Sequence, residues 1–194
     1  MSKKATSGTP RERILDVASE LFYKQGYRAT GINEVIEQSG VAKATFYKHF
    51  PAKDDLCLAY LEKRSITEKQ SFQQQVAAKR TPKARFMAII EAIQPWLEAT
   101  ELRGCEYLNT VAEVPDPQDP LRKKGSNHYE WLRNLIKQLS EELIESDPGR
   151  YKQTAKQLSD DYMVILVGAI ALTEVYHDTW PIKHAIKMVK NLID

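Results

Sequence analysis

The spacing of apolar and polar positions predicts a chain built from helices. Apolar groups recur at three- and four-residue intervals, and alternating runs bounded by hairpin turns are scarce. The first helix is predicted over residues 10–25, because Thr9 suits its cap, Pro10 suits its first position and Gly26 suits its end.

Two short helices are predicted next. One opens at Thr30 or Gly31 and ends at Gly40, a residue that tolerates positive φ. The other covers residues 42–50, because Pro51 biases the residue before it away from helix. The first 55 residues should therefore hold three helices, the last two joined by a tight glycine turn.

The remaining chain is predicted to be a longer helical region. We expect helical segments over 53–79, 82–100 with a kink at Pro95, 104–113, 118–146, 148–177 and 181–193. Residues 113–120, EVPDPQDP, hold three prolines and should form a loop. The pattern predicts an all-α protein with a three-helix domain over 1–55 and a larger helical domain over 56–194.

Charge separates the two regions. Residues 1–53 hold nine lysines and arginines against five acidic residues, a net charge of +4, and the rest holds 19 against 21, a net charge of −2. Concentration of basic charge at one end is expected of a protein that meets a polyanion there.

Other features favour a cytoplasmic protein. Cys57 and Cys105 are too few for a disulfide framework and fit a reducing compartment. The segment MSKKATSGTP lacks the apolar region of a secretory signal. The longest apolar run, residues 162–172, is too short to span a bilayer, so we expect no membrane segment.

The third predicted helix carries the chemistry that indicates DNA. Phe46 and Phe50 lie four residues apart and should pack inward. The opposite surface combines cations, hydroxyls and one small residue: Lys43, Ala44, Tyr47 and Lys48, flanked by Thr45 and His49. Such donors and acceptors suit phosphates and base edges, and helix-turn-helix proteins insert a helix in this position into the major groove.

A solvated amphipathic helix with a few lysines is the alternative. On charge alone that alternative would be favoured. Tyr47 shifts the balance, because a large ring on the polar side between Lys43 and Lys48 has no evident purpose without a partner.

The stretch TGINEVIEQSGVAKATFYKHFPAKDDL resembles the DNA-binding domain of the tetracycline-repressor (TetR) family. The resemblance covers roughly residues 10–60. It implies that Lys43, Ala44 and Thr45 lie near base edges, that Tyr47, His49 and Lys53 contact phosphates, and that Lys48 contacts either. Two positions depart from the family pattern. Ala44 replaces a common Gly, and Gly31 replaces a frequent Thr, which leaves phosphate capping to Thr30 or Asn33.

The resemblance also implies a homodimer. In this family the last two long helices form a dimeric four-helix bundle, so the predicted interface lies in about 148–193. Residues 160–180 are apolar nearly all round their helix, as a helix between its own core and a second subunit would be. A central core helix in a monomer is the alternative.

A second stretch, RGCEYLNTVAEVPDPQDPLR over 103–122, resembles one branch of the family, marked by Gly104, Cys105, Asn109 and Glu113. Family members enclose a small-molecule effector that lowers DNA affinity. Aromatic and polar residues are candidates for that pocket: Phe86, Trp96, Cys105, Tyr107, Asn109, Glu113, His128, Trp131 and Tyr162. Cys105 is either a redox or electrophile sensor or a buried structural thiol.

The leading hypothesis is a ligand-responsive transcriptional repressor that binds double-stranded DNA at a palindromic operator, with its heads roughly 34–36 Å apart. An enzyme is the first rival, but no HExxH, Cys-x-x-Cys, P-loop or GxSxG motif is present and the four histidines lack metal-like spacing. We therefore expect no catalytic residue, metal or cofactor. A structural DNA binder without effector control is the second rival.

Overall fold

The computed structural model describes residues 8–194, which hold nine helices and no β-strand. The helices are α1 (Pro10–Gln25), α2 (Ile32–Ser39), α3 (Lys43–His49), α4 (Lys53–Ala77), α5 (Pro82–Ala99), α6 (Glu106–Glu113), α7 (Pro120–Ser146), α8 (Ala155–Tyr176) and α9 (Trp180–Asn191). The predicted all-α class is confirmed.

Helix α1 has the predicted bounds because both of its ends are set by local chemistry. The Thr9 hydroxyl accepts a hydrogen bond from the backbone N–H of Glu12 (3.3 Å), and the Glu12 carboxylate accepts one from the backbone N–H of Thr9 (2.8 Å). Gly26 ends the helix at φ +92°, and its N–H donates to the carbonyl of Phe22.

Helices α2 and α3 are joined by the short glycine turn that the sequence predicts. Gly40 adopts the left-handed conformation (φ 64°, ψ 28°) that ends α2. Ala42 is the extended N-cap of α3, and the Phe50 N–H donates to the carbonyl of Phe46 at its other end. The turn therefore allows two short helices to follow each other within eighteen residues of chain, 32–49.

The predicted start of α8 at residue 148 is wrong. The helix begins at Ala155, where Thr154 and Gln157 form a capping box through bonds of 2.9 and 3.2 Å. Pro148, a residue type that suits the first position of a helix, lies instead in the turn that follows α7, with Gly149 at φ +88°. Two start signals compete here, and the reciprocal cap satisfies more backbone donors than a proline alone.

The chain divides into two compact units. The first unit comprises the chain up to Ser65 together with Glu106–Gly125, and the second comprises Ile66–Cys105 and Ser126–Asp194. In the first unit α1 packs against α2 and α3; in the second α9 packs against α8 and α5. The divisions after Ser65 and Gly125 fall inside helices α4 and α7, and the third falls just before α6. The domain boundary predicted from sequence lies at 55–56.

Candidate nucleic-acid interface

Helix α3 is fixed from behind by two phenylalanine rings. Phe46 is fully buried and Phe50 nearly so, with ring centroids 6.3 Å apart. The Arg11 guanidinium lies 5.2 Å from the centroid of the Phe50 ring, on the side of α1. Burial of both rings sets the rotation of α3 and so determines which side chains it presents to solvent.

The opposite face of α3 is exposed and carries the predicted residues. Lys43, Ala44, Tyr47 and Lys48 are exposed, and Thr45 and His49 are half-buried beside them. The Tyr47 ring is 41% exposed and packs edge-on against Phe46, with centroids 5.3 Å apart at 83°. Tyr47 is thus a partly exposed ring supported by Phe46, on a face that also carries Lys43 and Lys48, cations able to contact phosphates or base edges.

Three residues that flank α3 differ in whether their polar groups are open to a partner. Asn33 is exposed in the first turn of α2. Thr30 is buried, and its hydroxyl donates to the carbonyl of Gly26 at 2.7 Å. The Lys53 ammonium donates to the carbonyl of Arg28 at 3.2 Å and lies 4.7 Å from the centroid of the Tyr27 ring. Asn33 is therefore open to a partner, whereas Thr30 and Lys53 already bond within the protein.

Two family models together match most of the chain. Residues 14–60 match the model of bacterial regulatory proteins of the tetR family, and residues 82–189 match the tetracyclin repressor-like C-terminal domain. The chain belongs to the tetR family. It is therefore a DNA-binding transcriptional regulator with an N-terminal helix-turn-helix.

Relatives match this tetR-family chain along nearly its whole length. It is 26% identical over 189 residues to the HTH-type transcriptional regulator LmrA of Bacillus subtilis, which covers 96% of this chain and 97% of LmrA. It is 21% identical over 192 residues to the HTH-type transcriptional repressor NemR of Escherichia coli K12, covering 98% and 96%. A crystal structure of a TetR-family regulator from Streptomyces coelicolor shares the fold, with a TM-score of 0.87, 24% identity and coverage of 100% and 95%.

The predicted effector residues are divided between the two units. The second unit contains six of them: Phe86, Trp96, Cys105, His128, Trp131 and Tyr162. The first unit contains Tyr107, Asn109 and Glu113. The Tyr107 hydroxyl donates to the carbonyl of Leu61 at 3.0 Å, and Glu113 accepts backbone hydrogen bonds from the turn after α1.

Aromatic side chains in the second unit pack on one another. The Phe86 and Tyr162 rings meet edge-on with centroids 5.1 Å apart, and the Tyr162 oxygen accepts a hydrogen bond from the Ile90 N–H at 2.8 Å. The half-buried Trp131 stacks on Phe72 with centroids 6.4 Å apart. These ring pairs are core contacts, with Phe86 and Tyr162 fully buried.

Two of the predicted effector residues, His128 and Cys105, are buried in the second unit. Burial, together with the nearby Lys69 cation, lowers the pKa of His128 from 6.5 to about 4. Its Nδ1 lies 3.6 Å from a carboxylate oxygen of Glu68. The imidazole is neutral at pH 7 at that pKa, so this contact is not an ion pair there. Cys105 is also buried, with its sulfur 3.3 Å from the Tyr129 hydroxyl.

Helices α8 and α9 carry an exposed apolar face. The sequence pattern located an apolar surface only within the broad range of about 148–193. Val164 and Val175 are 75% and 74% exposed. Other large apolar side chains on the two helices are also exposed: Leu172, Tyr176, Trp180 and Met188. Residues 164, 168, 172 and 175 follow helical spacing, and no atom lies within 4 Å of the position that a Cβ on Gly168 would occupy.

Two negative findings apply to residues 8–194. Within that range no helix has both the length and the apolar character needed to cross a membrane. The same residues contain no group of three or more His, Cys, Asp or Glu side chains placed to hold a metal ion.

Proposed function

We propose that the protein is a dimeric, effector-responsive repressor that inserts α3 of each subunit into the major groove of a palindromic operator. The observation that carries the proposal is the exposed polar face of α3 on its buried Phe46 and Phe50 support. A rigid support matters because side chains must be held in place to distinguish one base edge from another. Such a regulator acts in the cytoplasm.

The proposed contact assignment is the one that the resemblance to the tetR family implies. Lys43, Ala44 and Thr45 form the start of α3 and are proposed to lie at base edges. Tyr47 and His49 are proposed to contact phosphates, with Lys48 contacting either. Three residues outside α3 are also proposed to contact phosphates: Asn33, Thr30 and Lys53. Asn33 is the strongest of these three because it is exposed, whereas Thr30 and Lys53 must exchange protein partners for phosphates.

The dimer is proposed to form through α8 and α9. Their exposed apolar side chains are what an obligate interface between identical chains requires. A two-fold axis along this face would match each helix with its own copy and present two α3 helices to one DNA duplex. The proposed interface lies within α8 and α9, residues 155–191, a narrower range than the 148–193 predicted from sequence.

The effector site is proposed to use the aromatic and polar residues of the second unit, on α5, α7 and α8. The chain is proposed to belong to the family branch marked by Gly104, Cys105, Asn109 and Glu113. The packed pairs Phe86–Tyr162 and Phe72–Trp131 support an apolar ligand with few polar groups. Binding of such a ligand is proposed to release the operator.

A titration of labelled operator DNA tests the contact assignment. We expect Tyr47→Ala and Lys43→Ala each to weaken binding by about tenfold, measured by fluorescence anisotropy, with helicity unchanged by circular dichroism. Tyr47→Phe keeps the ring and should lose less. Lys123→Ala is the matched control, because Lys123 is an exposed cation of the same unit on α7.

Equal affinity of Tyr47→Ala, Lys43→Ala and the control variant for operator would contradict the assignment. An equal loss in Lys43→Ala and Lys123→Ala, with none in Tyr47→Ala, would point to general charge attraction instead of specific contacts.

A further inference from the structure

The carboxylate of Glu113 holds two consecutive backbone amides of the turn between α1 and α2. One oxygen accepts a hydrogen bond from the Tyr27 N–H at 2.9 Å, and the other accepts one from the Arg28 N–H at 2.6 Å. Glu113 is separated from them by 86 and 85 positions in the chain. Bonds from amides to an ionised acceptor are stronger than neutral ones, so this carboxylate ties α6 to the turn.

The position of Glu113 within α6 is explained by the contacts of its carboxylate and not by the stability of the helix. It is the last residue of α6, where a negative charge opposes the helix dipole. The end of α6 is fixed by a second residue: the Arg122 guanidinium donates to the carbonyls of Val111 (3.0 Å) and Val114 (2.8 Å). Glu113 therefore projects from a helix end that is itself held in place.

Gly26 makes the close approach of the carboxylate possible. Its φ of +92° favours glycine, and a Cβ at this position would lie 2.6 Å from a carboxylate oxygen of Glu113. Any other residue at 26 would displace the turn, the carboxylate or both. The turn and Glu113 thus fit each other closely.

The same turn is held from α4 through its remaining polar groups. The Lys53 ammonium donates to the Arg28 carbonyl, and the Tyr27 hydroxyl donates to the Asp54 carboxylate. Glu113 accepts from the turn's amides, whereas Lys53 donates to its carbonyl. The turn leads directly into α2 and then α3, so its position is carried to the exposed face of α3.

We propose that Glu113 is a positioning residue for DNA binding: from α6 it fixes the turn that sets the placement of α2 and α3. This inference rests on the proposed function of α3. It assigns Glu113 to the DNA-binding side of the regulator, whereas the sequence pattern had placed it among effector residues. Loss of its two hydrogen bonds loosens the turn and weakens operator binding without any contact between Glu113 and DNA.

The sign of the mutational effect separates this role from simple charge. Glu113→Gln removes a negative charge from the unit that binds DNA, and electrostatics alone would strengthen its attraction to a polyanion. A positioning role predicts the opposite. Glu62→Gln is the matched control, because Glu62 lies in the same unit and pairs with Lys124 rather than with the turn.

The test measures operator affinity and backbone amide exchange in the full-length protein. In Glu113→Gln we expect about tenfold weaker operator binding and faster hydrogen exchange at the Tyr27 and Arg28 amides, with dimerisation unchanged. Glu62→Gln should bind as tightly as the original protein or more tightly. Glu113→Asp keeps the charge on a shorter side chain, so its operator affinity should lie between those of Glu113→Gln and Glu62→Gln. If Glu113→Gln does not fold, Glu113→Asp replaces it in the test.

Unchanged or tighter operator binding by Glu113→Gln would overturn the inference, as would unchanged exchange at both amides. Failure of the original protein to bind any operator is a different result. It would overturn the proposed function, and with it the role of Glu113 in DNA binding.

Discussion

The exposed faces of α3 and of α8–α9 are built in opposite ways. The face of α3 is cationic and hydroxyl-rich, and the apolar rings Phe46 and Phe50 are buried behind it. The face of α8 and α9 is apolar, with Val164 and Val175 largely exposed. Water solvates the first face well and the second poorly, so the first suits a charged partner that comes and goes and the second suits a permanent one.

The largest expected effect concerns the support behind α3. Phe46→Ala should lower the free energy of unfolding by about 3–5 kcal/mol, because it empties a fully buried site. Chemical denaturation followed by circular dichroism measures the loss. Tyr47→Ala is the matched control and should cost less than about 1 kcal/mol, since its ring is partly exposed.

Equal losses of stability for Phe46→Ala and Tyr47→Ala would show that Phe46 does not support α3 any more than Tyr47 does. The comparison between the faces would then lose its basis on the α3 side.

The next effect concerns the apolar face. Val164→Glu should raise the dimer dissociation constant at least a hundredfold, about 3 kcal/mol, because a two-fold interface would bury the new charge twice. Sedimentation velocity measures the change. Asp161→Glu, an exposed position of α8 that is already acidic, is the control and should leave the dimer intact.

A Val164→Glu protein that remains dimeric would place the interface elsewhere. Operator affinity should fall together with dimerisation, because one head alone makes few contacts.

A smaller effect arises from the histidine buried in the second unit. The pKa of folded His128 is about 4, below the 6.5 of an exposed histidine, so the unfolded chain binds the proton first. Stability should fall by about 2 kcal/mol between pH 7 and pH 5 and stay level above pH 7. On α4, the Lys69 ammonium contributes to the lowered pKa, and a carboxylate oxygen of Glu68 lies 3.6 Å from the imidazole Nδ1.

The difference between the original protein and His128→Phe isolates this contribution, because other titrating groups are common to both. Thermal or urea unfolding across that pH range should give a flatter profile for His128→Phe. His184→Gln, at an exposed site, should keep the original slope. Parallel profiles for all three proteins would rule out His128 as the source.

Signals confined to a few residues made the first unit predictable. Thr9 and Gly26 fix the ends of α1, and Gly40 likewise predicts the turn before α3. Competing local signals explain the error at α8, where Pro148 suits a helix start but the capping box at Thr154 sets it. Each feature depends on chemistry within about four residues.

Contacts between distant positions were beyond reach of the sequence. Glu113 meets the backbone of Tyr27 and Arg28, and backbone amides carry no residue-specific signal. The bond between Lys53 and the carbonyl of Arg28 was missed for the same reason. The division of the aromatic effector candidates between two units likewise follows from packing across long stretches of chain.

Directed cleavage of operator DNA from α3 tests the central claim most directly. An iron chelate attached to Ala44→Cys would place the cleaving centre at the start of α3, and the native Cys57 and Cys105 are buried and should not compete for the label. We predict two cleavage centres in the major groove, roughly 34–36 Å apart and related by a two-fold axis. Absence of cleavage from position 44 on bound operator, with cleavage from the same chelate on Lys123→Cys, would contradict the account.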